Sequence, residues 1–320
     1  MTGACATADP QALEWVARRP ASDYQEYLAE YVADFTPHRL ATWRDGPGRL
    51  VRLGSQQHPQ ALARVVEQPW DTACLGVGVA QIALLAGADT TVKHKLIEEI
   101  KRQARAHATH LLTCRVGYHD LSSLHALETA GFRTMDAMSI FLADQARLAG
   151  GLESPSYSGL GDSEIRLLED TDVDTRRTLR ALAASAFRHG RVANDPAFSP
   201  QQVAAFYGGL FESDLEADGS VLLAARRAGR IVGFVLGGED FALRRHLDLA
   251  LGYLNLIAVD PALAGQGLGR ALMRAFLTEM HRRVRLVEVG TQINNYPALN
   301  LYYGAGLKCV SALVTLHLWL

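Results

Sequence analysis

What this chain of 320 residues lacks narrows its chemistry before any motif is read. Cysteine is sparse: Cys5, Cys74, Cys114 and Cys309 stand far apart and form no Cys-x-x-Cys pair, which argues against a disulfide framework and a thiolate zinc site. Excess charge is missing too. With 32 Lys and Arg against 34 Asp and Glu, net −2, no field exists to attract nucleic acid or an anionic membrane. The most apolar window, residues 75–88, is shorter than the ~20 residues a bilayer crossing needs. The first residues show no basic stretch followed by an apolar one. The histidines, His189 among them, have no metal-ligand spacing, and neither Gly-x-Ser-x-Gly nor a Cys/His nucleophile arrangement occurs. These absences predict a cytoplasmic protein with reduced thiols, no metal, no nucleic-acid partner and no membrane span.

What is present is globular material, 48% hydrophobic and 21% charged, in a chain longer than the ~250–300 residues at which single cores stop growing. Breakers crowd one segment, Gly150-Gly151, Pro155, Ser156, Ser158, Gly159 and Gly161. The expected division is therefore a domain at 1–148, a linker at 149–162 and a second domain at 163–320. Periodicity in the first half predicts a helix over 13–35, a strand or hairpin over 75–85 and an amphipathic helix over 91–107. A strand at 111–116, a helix at 121–129 and a strand at 135–142 follow. The second half opens with a strand at 164–168, helices at 172–187 and 200–215, and a hairpin of 221–225 with 231–236. It closes with a strand at 286–291, a short helix capped by Asn295 and ended by Gly304 and Gly306, and a long alternating strand over 308–320.

The closing block repeats an earlier one. A shift of 175 residues, with no gap, lays Leu111 over Leu286, Leu124 over Leu299, Ala130 over Ala305, Gly131 over Gly306 and Ala137 over Ala312. The order of strand, short helix, glycine turn and strand is kept, so we read an internal duplication.

The most informative stretch is 254–272, Leu-Asn-Leu-Ile-Ala-Val-Asp-Pro-Ala-Leu-Ala-Gly-Gln-Gly-Leu-Gly-Arg-Ala-Leu. An apolar strand is stopped by Asp260-Pro261, a loop carries Gly265, Gly267 and Gly269, and an apolar stripe through Leu268, Leu272, Ala275, Phe276 and Met280 marks a helix. Alternate glycines before a helix leave backbone N–H groups uncovered beside the positive end of its dipole, which makes a phosphate-sized anion site. Two well-known phosphate loops fail the test. Arg270 breaks the dinucleotide pattern G-x-G-x-x-G, and the Gly-Lys-Ser/Thr of a P-loop is absent.

What remains, G-x-G-x-G-R after Val-Asp-Pro, resembles the pyrophosphate loop of the GNAT superfamily of acetyl-CoA-dependent N-acyltransferases. Ala264 stands where that family carries Arg or Gln. Its pattern Asn-x-x-Ala-x-x-x-Tyr-x-x-x-Gly-Phe also matches Asn295, Ala298, Tyr302 and Gly306, with Leu307 for Phe. The resemblance implies an α/β (α+β) fold of two tandem GNAT domains, each a mixed, mostly antiparallel twisted sheet flanked by helices. It implies acetyl-CoA as co-substrate, cradled by Gly265, Gln266, Gly267, Leu268, Gly269 and Arg270, with its pantetheine along Ile257, Ala258 and Val259 and near Asn295. Arg270 or Arg274 pairs with its phosphates or is merely solvated. Tyr302 is the expected general acid for the departing thiolate, since a phenol of pKa ~10 is protonated at neutral pH.

At the 175-residue shift the glycine loop falls on residues 89–94, which have no glycine, and Tyr302 falls on Leu127, so the first copy is expected to be degenerate. The base stays open between Glu239, Asp240, His246 and a water chain. Within the superfamily, Pro69-Trp70-Asp71, residues 188–198 with the Tyr207 helix, and Thr291-Gln292 resemble the TDP-fucosamine acetyltransferase group. That implies an acceptor amine on a nucleotide-linked amino sugar, with Arg188 and Arg191 on its diphosphate and Tyr207 stacking on its base. Readings left beside it are a mycothiol-synthase-like or antibiotic-modifying acyltransferase, and a CoA-binding sensor without turnover. The chain is expected to act as a monomer or homodimer.

Overall fold

The computed structural model describes residues 25–55, 58–144 and 163–320. The expected linker at 149–162 lies outside them. In the first half α1 (Thr36–Asp45), β1 (Arg49–Gly54), β2 (Pro59–Glu67), α2 (Pro69–Leu75), β3 (Val79–Gly87), α3 (Thr90–Ala106), β4 (Leu111–Gly117), α4 (Leu121–Thr129) and β5 (Arg133–Asp144) follow in order. The second half holds β6 (Ser163–Leu167), α5 (Val173–Ala186), α6 (Arg191–Asn194), α7 (Pro200–Leu215), β7 (Val221–Arg227), β8 (Arg230–Glu239), α8 (Phe241–Leu247), β9 (Leu251–Val259), α9 (Leu268–His281), β10 (Leu286–Gln292), α10 (Tyr296–Gly304) and β11 (Lys308–Trp319).

Two compact units result, and they do not follow chain order at their ends. One takes the described residues up to Ala137 together with Ser311–Leu320, the other Met138–Val310. Strand order in the first is β1-β2-β3-β4-β11 and in the second β5-β10-β9-β8-β7-β6. Most of β5 thus ladders with β10, from Met138↔Gln292 to Asp144↔Leu286, while β11 ladders with β4. A division read from breakers alone gives β5 to the first half and β11 to the second. Ladder partners, which no local signal announces, decide otherwise.

In the first unit α3 lays Leu96, Ile97, Ile100 and Ala104 on Ala61, Ala63, Val65, Ile82 and Cys114. The other face carries Trp43 of α1 over Leu62, Leu84 and Ala86. Both faces of β2 are therefore buried, and its apolar run, interrupted by Arg64, shows no period that marks a strand. Arg64 itself is 3% exposed and donates to the carbonyls of Trp43 and Gly46, a cation placed at the negative end of α1. Two expectations shift here. The predicted strand over 75–85 begins only at Val79, because Pro69 opens a short helix that Gly76 closes in a left-handed turn at φ +73. Residues 13–24 of the predicted helix over 13–35 lie outside the described residues, and the remainder holds only a 3₁₀ segment, Glu26–Tyr31, before α1.

In the second unit α5 and α7 cover one face of the sheet and α9 and α10 the other. Leu179, Ala183 and Phe211 pack on Leu222, Phe234, Leu236, Leu256 and Ala258. Leu268, Leu272, Met273, Phe276 and Met280 pack on Leu223, Val235, Leu254, Val287 and Val289.

Candidate active site

Two strands of the second unit part at its centre. β9 and β10 run parallel and pair from Leu251↔Leu286 to Leu254↔Val289, and no rung follows, although β9 continues to Val259 and β10 to Gln292. A bulge accompanies the parting: Leu236 and Gly237 of β8 face Leu256 and Leu254, which leaves Asn255 extra. An inserted residue bends its strand and raises the local twist. It also reverses which face successive residues serve, so Leu254 packs toward α9 while Leu256 and Ala258 pack toward α7. Beyond the bulge β9 stays with β8, and the Asp260 N–H donates to the Val232 carbonyl at 2.9 Å. Backbone groups alternate between the two edges of such a strand. Ala258 therefore faces β8, while Ile257 and Val259 turn their N–H and C=O toward the edge that β10 has left. Of the three residues expected to track a pantetheine chain, two offer backbone groups to the open edge.

β9 then enters a turn in which the Asp260 carboxylate accepts from the Ala262 N–H at 3.0 Å. Gly265 and Gly267 follow at φ +77 and +84, where a side chain is costly. Gly267 caps α9 with no side-chain bond, so no side-chain cap covers the leading N–H groups of Leu268, Gly269 and Arg270. Gly269 lies against the end of β9 and against α10: a Cβ there would stand 3.9 Å from Val259 and 4.0 Å from Leu301, ordinary contacts that do not themselves demand glycine. Gln266 accepts from Arg227 Nη1 at 3.1 Å, and Arg270 is exposed on the first turn.

Asn295 caps α10. Its Oδ1 accepts from the Ala298 N–H at 3.4 Å and its Nδ2 donates to Thr291 Oγ1 at 3.2 Å, so its amide secures the turn after β10. Two turns on, Tyr302 is 3% exposed on the α9 face of the sheet, edge-on to Phe141 with ring centroids 5.6 Å apart. Burial pushes its phenol well above the usual range and keeps the proton on oxygen.

The face covered by α5 and α7 holds the residues expected to meet the acceptor. Gly190 presses on α7 and on the end of β10: a Cβ there would come 2.2 Å from the Tyr207 hydroxyl and 3.6 Å from the Gln292 amide nitrogen. Arg188 is exposed, and the Arg191 guanidinium lies 5.2 Å above the Phe206 ring. Tyr207 departs from its expected role. Its ring is 7% exposed, stacked on Phe187 at 5.4 Å and edge-on to Phe206 at 5.3 Å, so it serves as packing and not as an open platform for a base.

The expected base candidates are also committed elsewhere. Glu239 pairs with Arg244 at 3.2 Å, the Asp240 carboxylate caps α8 through Ala242 and Leu243, and His246 is exposed on that helix. A carboxylate the motifs did not mark is Asp214, bonded to the Asn255 side chain and pushed up to about 6 by burial. The signal for it is present in the sequence: Tyr207, Phe211 and Asp214 recur at i, i+4 and i+7, which puts an acid on the packed face of α7.

The first unit shows the same parting with another sequel. β3 and β4 pair from Val79↔Leu111 to Ile82↔Cys114, and a bulge follows at Ala83. Val79 answers to Leu251 and Leu111 to Leu286, offsets of 172 and 175, so the ungapped repeat does not extend back through the glycine loop. Only Ala88 and Asp89 connect β3 to α3. Asp89 Oδ1 accepts from the Val92 N–H at 2.9 Å, filling with its own carboxylate the kind of cap that Gly267 leaves open. Lys93, 3% exposed, bonds to Asp120 Oδ1 at 3.1 Å, Ser122 Oγ at 2.7 Å and Ser123 Oγ at 2.8 Å. Asp120 and Leu127 stand at the positions of Asn295 and Tyr302.

Residues 182–306 match the family model described as Acetyltransferase (GNAT) family. They form a GNAT acetyltransferase domain. The protein is accordingly an acyltransferase, and the GNAT family uses acetyl-CoA as co-substrate. Solved structures show the tandem form of the fold. A GCN5-related N-acetyltransferase from Sphaerobacter thermophilus superposes with a TM-score of 0.62 at 16% identity, over 97% of this chain and 92% of that one. A tandem GNAT protein from the clavulanic acid biosynthesis pathway superposes with a TM-score of 0.59 at 16% identity, over 98% and 94%. Among curated proteins, the spore coat polysaccharide biosynthesis protein SpsD of Bacillus subtilis is 23% identical over 78% of this chain and 81% of its own. Among the described residues no cluster of His, Cys, Asp and Glu is arranged to hold a metal, and no helix is long and apolar enough to cross a membrane.

Proposed function

We propose that the second unit transfers an acetyl group from acetyl-CoA directly to the amine of a small molecule, and that this amine belongs to a nucleotide-linked amino sugar. The observation that carries the acetyl-transfer reading is the opened edge of β9 leading into an uncapped helix start, with Ile257 and Val259 on one side of the turn and Gly265 and Gly267 on the other. The diphosphate binds at residues 265–270, the pantetheine follows the β9 edge between the parted strands, and the thioester reaches the bulge. Tyr302 then protects the departing thiolate by hydrogen bonding and protonation. Burial that raises the phenol also raises the proton affinity of a thiolate formed in the same place.

Each chain binds one acetyl-CoA, in the second unit. In the first, Asp89 would meet the phosphate and Lys93 with its partners fills the corresponding region. Calorimetric titration is expected to give a stoichiometry near one. A stoichiometry of two would remove the degenerate-copy reading.

The acceptor class is supported by the polysaccharide-biosynthesis name of the curated relative and by Arg188 and Arg191, which flank Gly190 beside the end of β10. Arg grips a diphosphate bidentately, and each charge-assisted bond adds ~1.5–3 kcal/mol. The free amino sugar is therefore expected to be roughly tenfold to a hundredfold poorer in kcat/KM than its nucleotide form, because remote binding energy is lost. Arg191→Ala should narrow that gap and leave the rate on the free sugar little changed. Product mass spectrometry with a panel of amines checks both, and equal rates on the two forms would reject the nucleotide-sugar acceptor while acetyl transfer stands.

A further inference from the structure

We propose that Asp214 is the general base that accepts the proton of the attacking amine, and that Asn255 is the positioning residue that holds its carboxylate. This rests on the acetyl-transfer reading above. Asp214 lies on the last turn of α7, on the face that Phe211, fully buried against Phe234 at 5.3 Å, presses onto the sheet. Its partner Asn255 is the bulged residue, exposed at the point where β9 and β10 stop pairing. The carboxylate therefore stands at the mouth of the gap in which the thioester would lie.

The chemistry of the carboxylate fits an unfinished site. One oxygen, Oδ2, is buried and has no hydrogen-bond partner among the described residues. A buried polar atom left in that state is costly, and a ligand or water is the usual reason it is kept. No salt bridge neutralises Asp214 among the described residues. From β9 it faces Tyr253 and Asn255. Asp240, the next acid near Tyr253, is committed to the α8 cap. Arg176 of α5 is tied to Glu212 and Glu216 of α7 instead.

Tyr302 and Asp214 also approach from opposite faces of the sheet, one in the cluster of α9 and the other beside that of α7. In the proposed reaction the donor therefore acts from one face of the sheet and the acceptor from the other. As the amine nitrogen bonds to the thioester carbon and the carbon–sulfur bond breaks, the nitrogen's proton passes to Asp214 and the proton of Tyr302 to the thiolate. Solvent then returns a proton from Asp214 to Tyr302, and the enzyme is restored. Burial pushes the Asp214 carboxyl up to about 6, while its bond to Asn255 pulls it down. A base must be unprotonated to act, so turnover should rise with pH through that value.

The test is the pH dependence of kcat and KM for wild type, Asp214→Asn and Asn255→Ala, with acetyl-CoA titration as the check on folding. Asp214→Asn is expected to bind acetyl-CoA normally, lower kcat about a hundredfold with little change in the amine's KM, and lose the acid limb near pH 6. Asn255→Ala is expected to keep most turnover and move that limb to higher pH, a shift that a purely structural role would not produce. Wild-type kcat and limb in Asp214→Asn, or a loss confined to KM, would overturn the proposal, as would an unmoved limb in Asn255→Ala. A wild type that binds acetyl-CoA and acetylates no amine would overturn the acetyl-transfer reading and Asp214's role together. An active wild type beside an unaffected Asp214→Asn removes Asp214 alone.

Discussion

Tyr302→Phe is expected to lower turnover roughly 10²–10⁴-fold, the range over which general acids contribute, while acetyl-CoA binds with nearly unchanged affinity. The split follows from where the hydroxyl is used. Tyr302 packs by its ring, in contact with Phe141 inside the α9 cluster, and Phe keeps that packing. The oxygen matters only once negative charge develops on sulfur, so its removal touches the transition state and spares the ground state. Burial holds the phenol above its usual range, and the wild type should therefore show no alkaline limb from Tyr302 up to ~pH 10. Single-turnover kinetics with calorimetric titration separate the two effects. An unchanged chemical step would take Tyr302 out of the acid role.

Gly267→Asp is expected to weaken acetyl-CoA binding by ~10³-fold or more while the fold survives. At φ +84 a side chain costs ~1–2 kcal/mol, less for Asp, which tolerates the left-handed region better than most residues. That cost is offset, because Asp is a good N-cap and its carboxylate can accept from the first N–H groups of α9. Asp89 caps α3 with its carboxylate, but from an extended backbone at φ −155. A carboxylate at the start of α9 would compete for its N–H groups and repel the diphosphate. Gly267→Ala carries backbone strain without the charge and should lose far less. Thermal unfolding near that of wild type, with binding gone in Asp and partly kept in Ala, is the expected pattern. Equal losses in the two variants would mean that shape and not charge governs the loop.

Much of the second unit was legible because its signals are local. The helices at α5, α7 and α9 follow apolar stripes and N-caps such as Asp172 and Ser199, each bonded within its own first turn. The hairpin of β7 and β8 is read from the turn Arg227-Ala228-Gly229-Arg230 between two apolar runs, and β11 from its period of two. Tyr302 stands out through the resembling pattern Asn-x-x-Ala-x-x-x-Tyr, whose residues fall together on one short helix and its cap. For Tyr207 the sequence shows an aromatic residue on an amphipathic helix and does not show Phe187 lying against it. Glu239 and Asp240 stand as acids near the central strand in the sequence, and only their partners, Arg244 and the α8 backbone, reveal them as occupied.

By itself the sequence determined the strand, glycine loop and helix of 254–272, since left-handed glycines, a proline stop and a 3.6-residue stripe are properties of neighbouring residues. It also carries the 175-residue echo between the two halves and the absence of glycine at residues 89–94, from which the first copy is read as degenerate. The tertiary structure alone decided which unit β5 and β11 join, because a strand's hydrogen-bonding edge fits any partner of matching length and face. It alone decided that Asn255 is a bulge. That depends on register against β8, and a shift of one residue changes the face of every side chain beyond it. The meeting of Asp214 with Asn255 follows from that register and from the packing of α7 on the sheet, two long-range contacts that leave no mark on adjacent residues.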